Sequence, residues 1–194
     1  MEIGATKAVQ DRLKTTKIEE SKGASLVFCW DTHLTKIKGR NVLFIVNASN
    51  RYTIAMTDIE QGNWNYYTMY ISRVIHGVMQ EMGYSEDQIG QYFKMSGDTT
   101  VTKTHGRKSV GGINRMVMDA QYFGKKLEKE AKYQWELSEY LNRDICQPEG
   151  FDAYGYPSEL FKLDMERLGI AAKREPAKII DFTKYIDTNR STNH

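Results

Sequence analysis

Polar and apolar positions change period several times along the chain, and each change marks an element. Glu2–Ala5 has the length of a short strand. Thr6 is suited to N-cap a helix from Lys7 to about Lys14, with Val9 and Leu13 on one face. Thr15–Gly23 is a polar loop. Over Ser25–Ile37, Leu26, Phe28 and Trp30 alternate with Val27, Cys29 and Asp31, a strand pattern that turns polar towards its end. Val42–Asn47 is a continuous apolar run of the length of a buried strand, and Arg51–Asp58 alternates again. The turns Lys38-Gly39-Arg40-Asn41 and Ala48–Asn50 separate these runs, which predicts an antiparallel meander.

The period then becomes helical. Trp64, Tyr67, Ile71, Val74, Ile75, Val78, Met79 and Met82 predict a helix from about Trp64 to Met82, closed by Gly83. Ser85 caps a second helix that turns Ile89, Tyr92 and Phe93 inward and ends at Gly97. Thr99–Thr104 is a β-branched run, read as a further strand. Ser109 caps a helix carrying Ile113, Met116, Val117 and Ala120, and Lys126–Leu141 reads as helical too. Pro148–Pro157 is a loop, and Glu159–Leu168 a last helix. The expectation is one α+β domain over residues 1–170: an antiparallel meander of about four or five strands with helices packed on one side. Residues 171–194 form a tail, in which Lys178–Ile186 is an edge strand or a mobile end.

Composition adds little until charge is followed along the chain. The 194 residues are 40% hydrophobic and 27% charged, with a net charge of only +2, which excludes a general polycation. Yet Lys36–Arg51 holds Lys36, Lys38, Arg40 and Arg51 and no acid. Thr99–Arg115 holds Lys103, Arg107, Lys108 and Arg115, also without an acid. If the two stretches meet, they form one positive face for an anion. The two cysteines, Cys29 and Cys146, are far apart, and the N-terminus has no apolar signal core. Reduced thiols in a host-cell cytoplasm are therefore expected. No run is long enough to span a bilayer.

Chemistry is most concentrated between Thr99 and Asn114, where Lys103, His105, Arg107 and Lys108 crowd a strand-to-helix corner. Helix-start amides favour an anion there. One reading makes His105 an acid or base, with Lys103 and Arg107 stabilising charge on phosphorus, in a metal-independent RNA cleavage by the RNA's own 2′-hydroxyl. The other makes the corner a solvated basic turn. Lys36, Lys38, Arg40, Asn47, Arg51, Lys108 and Arg115 would extend a nucleic-acid surface, and Tyr52 is the best base-stacking ring. The other aromatics at helical spacing read as core. Gly106, Gly111 and Gly112 flank the corner for packing or for close approach of a ligand. No carboxylate pair and no His/Cys spacing suggests a metal, so neither metal nor cofactor is expected.

Several stretches together resemble the DUF6933 domain family, small bacterial, phage and plasmid proteins of unknown function. They are Ala-Thr-Lys (5–7), Phe-Cys-Trp (28–30), Gly-Arg-Asn-Val-Leu-Phe-Ile-Val-Asn (39–47), Ser-Asn-Arg-Tyr (49–52), Thr-Lys-Thr-His-Gly-Arg-Lys-Ser-Val (102–110), Ile-Asn (113–114) and Pro-Ser-Glu-Leu-Phe (157–161). The resemblance singles out Thr6, Lys7, Trp30, Asn47, Arg51, Lys103, Thr104, Arg107, Ser109 and Asn114. Its mobile-element setting implies an anti-CRISPR protein, an inhibitor of a Cas9-type effector that engages, and as a ribonuclease would cut, guide RNA. Two alternatives remain: a non-catalytic module that blocks an effector protein through Tyr133–Leu141 and the 151–156 loop, and a small-molecule enzyme for an anionic substrate, which requires a closed pocket.

Overall fold

The computed structural model describes residues 1–14 and 18–172. A five-stranded sheet organises them, in the order β4-β3-β2-β1-β5. The strands are β1 (Glu2–Ala5), β2 (Cys29–Ile37), β3 (Arg40–Asn47), β4 (Thr53–Thr57) and β5 (Thr100–Thr102). β2, β3 and β4 form the expected meander. β1 lies between β2 and β5 and is parallel to both. The sheet is therefore mixed. Antiparallel pairing follows from tight turns, whereas the long connections into β2 and β5 allow parallel pairing.

The α+β class stands, with helices on both faces of the sheet where one was expected. The continuous apolar run of β3 is the reason: Leu43 and Ile45 face one layer, and Val42, Phe44 and Val46 the other. The first layer holds α1 (Lys7–Leu13), α3 (Tyr67–Glu81), α4 (Glu86–Ser96) and α7 (Pro157–Arg167), which bury Val9, Ile71, Ile75, Ile89, Tyr92, Phe161 and Met165. Short α2 (Gln61–Asn65) leads into α3, so the Trp64–Met82 helix is broken at Tyr66. Ser85 and Gln88 form a full capping box at α4. The second layer holds α5 (Gly106–Gln121) and α6 (Trp135–Asn142), with Ile113, Met116, Leu137 and Leu141 inward.

α6 begins later than the pattern over Lys126–Leu141 implies, because the preceding residues serve the edge of β4. Thr57 N–H donates to the Lys132 carbonyl at 2.8 Å, and Gln134 N–H to the Ala55 carbonyl at 2.9 Å. Side chains on α6 continue the ladder. Ser138 Oγ accepts from Ala55 N–H, and Asn142 pairs with both backbone groups of Thr53 at 2.8 Å. An edge that would otherwise invite another strand is thereby covered. The expected edge strand at Lys178–Ile186 lies outside the described residues. Among the described residues, no helix is long and apolar enough to cross a membrane.

Candidate functional site

The strand-to-helix corner rests on a buried polar cluster on the α5 face of the sheet. Register places Glu2 beside Cys29 and Gly4 beside Asp31. The link from β5 to α5 then drops His105 onto Gly4. His105 Nδ1 lies 2.7 Å from Asp31 Oδ1, and Nε2 lies 3.1 Å from Glu2 Oε2. Asp31 also accepts from the His105 backbone N–H at 3.2 Å and from the Ser109 hydroxyl. Glu2 accepts from the Lys22 backbone N–H at 2.8 Å. A Cβ on Gly4 would sit 1.8 Å from Asp31 Oδ1 and 3.0 Å from His105 Nδ1, so only glycine lets the pair lie against the strand.

The electrostatics follow from this placement. Burial alone would lower the His105 pKa. The hydrogen bond and charge of Asp31, with the nearby Cys29 thiol, outweigh it and push the imidazole up to about 10. Burial disfavours the Glu2 carboxylate, but Ser21, the Lys22 amide and His105 hold its pKa below the usual range. The His105 side chain is only 2% exposed, and carboxylates occupy both ring nitrogens. It is placed to hold the corner together, not to meet a 2′-hydroxyl. Helix α5 starts at Gly106, three residues before the expected cap, because Ser109 gives its hydroxyl to Asp31.

The predicted surface residues separate into two groups. Lys38 Nζ donates to the carbonyls of Phe123 and Lys125 and lies over the Phe123 ring. Arg40 binds the Glu128 carbonyl at 2.7 Å, Thr57 Oγ1 at 3.2 Å, and Asp58. Lys36 is exposed, and its carbonyl accepts from Gln121 at 3.0 Å. These three residues lie at the C-terminal end of α5, whereas the 103–108 bend lies at its N-terminal end. A 16-residue helix separates them, about 24 Å of length. Lys36, Lys38 and Arg40 therefore do not join the 103–108 bend in one positive face.

The β3–β4 turn is structural. Asn47 is fully buried, donates to the Val27 carbonyl at 2.9 Å, and accepts from the Ser49 and Asn50 amides. Tyr52, expected as a stacking ring, is buried in the core with its ring centroid 5.2 Å from that of Phe161. Arg51 adopts φ 62° and donates to the Gly112 carbonyl at 3.1 Å. A Cβ on Gly112 would lie 3.2 Å from Arg51 Nε, so this glycine makes room for the guanidinium.

The second group stays in water. Arg107, Lys108, Gly111, Asn114 and Arg115 are exposed along α5. Lys103 pairs with Glu20, Lys108 reaches the Pro148 carbonyl at 3.2 Å, and Arg115 lies 3.6 Å from Asp119. Thr104, Gly106, Arg107, Val110, Gly111 and Asn114 line a shallow open depression, in place of the closed pocket a small-molecule enzyme would need. Both cysteines are free and buried.

Glu2 and Asp31 escaped sequence reasoning because their partner His105 is 103 and 74 residues away. The faint signal was polar residues at alternate positions in strands whose other face is apolar. With Cys29 and His105, Glu2 also forms a group able to hold a metal, the three ligand atoms lying within 4.8 Å of one another.

The described residues thus make a mixed-sheet α+β domain with a buried histidine–carboxylate cluster under one basic helix end. The chain belongs to the DUF6933 family, a domain of unknown function whose model matches residues 2–160. Neither the curated proteins nor the solved structures contain a match.

Proposed function

We propose that the protein is a non-catalytic binding module for an RNA phosphate backbone, engaged through the exposed face of α5 that runs from Arg107 to Arg115. The observation that carries this reading is the exposed row Arg107, Gly111, Asn114 and Arg115, spaced to share one helix face. Nothing lies within 4 Å of a Cβ built on Gly111, so a sugar–phosphate chain has room to approach. Arg suits bidentate phosphate contact. The target we take from the association of such small proteins with mobile elements is the guide RNA of a Cas9-type effector, and inhibition would follow from occupying it. The test is an electrophoretic shift with guide RNA, alone and in the effector, at rising salt. The expected result is intact, shifted RNA that is released as salt rises, and a weaker shift with Arg107→Ala/Arg115→Ala. Unshifted RNA at low salt would overturn the proposal.

A second reading has its own observation. Trp135, Tyr140, Tyr154 and Tyr156 are exposed, and Trp135 lines a groove of about 370 Å³ with Tyr52, Met82, Tyr133 and Glu139. Aromatics of this kind suit a protein partner. That mode predicts capture of the effector protein without RNA, unchanged by the two arginine substitutions and lost with Trp135→Ala.

A further inference from the structure

We propose that Glu2, Cys29 and His105 form a binding site for a divalent transition metal ion of the zinc class, separate from the basic face of α5. The three residues come from β1, β2 and the β5–α5 link, and all are buried. Their ligand atoms, a carboxylate oxygen, Sγ and a ring nitrogen, lie within 4.8 Å of one another. A small movement of side chains brings such a set round one ion.

Three features go beyond proximity. First, His105 Nδ1 is fixed by Asp31 Oδ1 at 2.7 Å, which leaves Nε2 directed at Glu2. A carboxylate behind a histidine is how proteins orient an imidazole towards a metal. Second, Gly4 is required for that orientation, because a side chain there would displace Asp31. Third, the donors are of mixed softness. Thiolate with imidazole selects zinc, cobalt or iron over magnesium and calcium. Three side-chain ligands leave the fourth tetrahedral position to a water, the pattern of an open site.

Coordination displaces the Cys29 thiol proton and the proton on His105 Nε2, both of which pass to solvent. Residues 18–25 border the cluster on the Glu2 side. There the Lys22 amide closes over Glu2 at 2.8 Å, while Ser21 and Lys22 themselves are exposed.

The test uses the full chain, stripped with a chelator and titrated with Co²⁺ and, separately, Zn²⁺. The expected result is one ion per chain, a thiolate-to-cobalt charge-transfer absorption, and a melting midpoint raised by roughly 5–10 °C at a hundredfold excess of Zn²⁺ over Kd. Cys29→Ser should abolish the absorption, and Cys146→Ser should keep it. If Cys29→Ser fails to fold, Glu2→Gln preserves size and the bond from Lys22, and should weaken Zn²⁺ binding more than about tenfold. No cobalt absorption with an unmoved melting midpoint would overturn the site. So would absorption that survives Cys29→Ser, or Zn²⁺ affinity unchanged by Glu2→Gln.

Discussion

The two acid-free basic stretches look alike in sequence and are used in opposite ways. At the C-terminal end of α5, Lys38 and Arg40 are turned onto carbonyls of the 123–128 loop. At the N-terminal end, Arg107 remains in water beside a buried frame, and Arg115 is exposed further along the same helix. The difference lies in what surrounds each stretch. The loop after α5 presents carbonyl oxygens with no helical or strand partner, and a nearby lysine and arginine satisfy them. The corner before α5 already has its buried polar groups satisfied by Asp31 and Glu2, so its outer cations stay exposed and make only surface contacts, Lys103 with Glu20, Lys108 with the Pro148 carbonyl and Arg115 with Asp119. A run of cations without acids therefore marks electrostatic potential, and the surrounding backbone decides whether it is used internally or externally.

The most severe way to break this contrast is to remove the frame. Asp31→Ala would leave the buried imidazole facing Glu2 alone, with Ser109 and the His105 amide unpartnered. Breaking a buried charged network in this way costs about 3–5 kcal/mol. For a chain of this size that is a fall of roughly 6–20 °C in melting midpoint, measurable by scanning calorimetry. A neutral outcome would mean that the cluster does not hold the corner.

Next in size is Arg40→Ala. It removes bonds to Glu128, Thr57 and Asp58 from a guanidinium that is only 22% exposed. The expected loss is about 1–3 kcal/mol, read from a urea titration. RNA affinity should not change, and a drop in affinity without a drop in stability would reverse the assignment of the two stretches.

Arg107→Ala/Arg115→Ala is the mirror image. Stability should stay within about 0.5 kcal/mol, as for exposed positions. The slope of log affinity against log salt should become shallower by roughly 1.4, two phosphate contacts on a single strand. A fluorescence-anisotropy titration at several salt concentrations measures it.

How much of this was legible follows from the range of each interaction. Alternation in β2 and β4, the capping residue Ser85 and the apolar face of α3 are local signals, and they were readable. So was the two-sided burial of β3, since five consecutive apolar residues cannot all face one layer; placing helices on one side ignored that. The long-range pairings were not readable. Nothing near Glu2 announces a parallel neighbour at Cys29, and nothing near His105 announces Asp31. A histidine among lysines looked exposed because its neighbours are, although its own ring points inward. Tyr52 was misjudged in the same way, by its neighbour Arg51.

The smallest effect sharpens the contrast between two histidines. His33 stands on β2 with Thr6 Oγ1 3.2 Å from Nδ1, and its pKa carries no contribution from a carboxylate. Burial lowers its pKa from the ordinary value, the reverse of His105. The sign follows by linkage. The unfolded chain takes up a proton at His33 near pH 6.5, and the folded chain only at lower pH. Folding is therefore not opposed by this group above that range, and stability is lost as pH falls through it. His33→Gln keeps a polar side chain beside Thr6 and removes the titration. Denaturation midpoints for the substituted protein, measured from pH 7.5 down to 5, should fall less steeply than those of the natural chain. Parallel curves would show that His33 titrates alike in both states, leaving the missing carboxylate without consequence at this end of the strand.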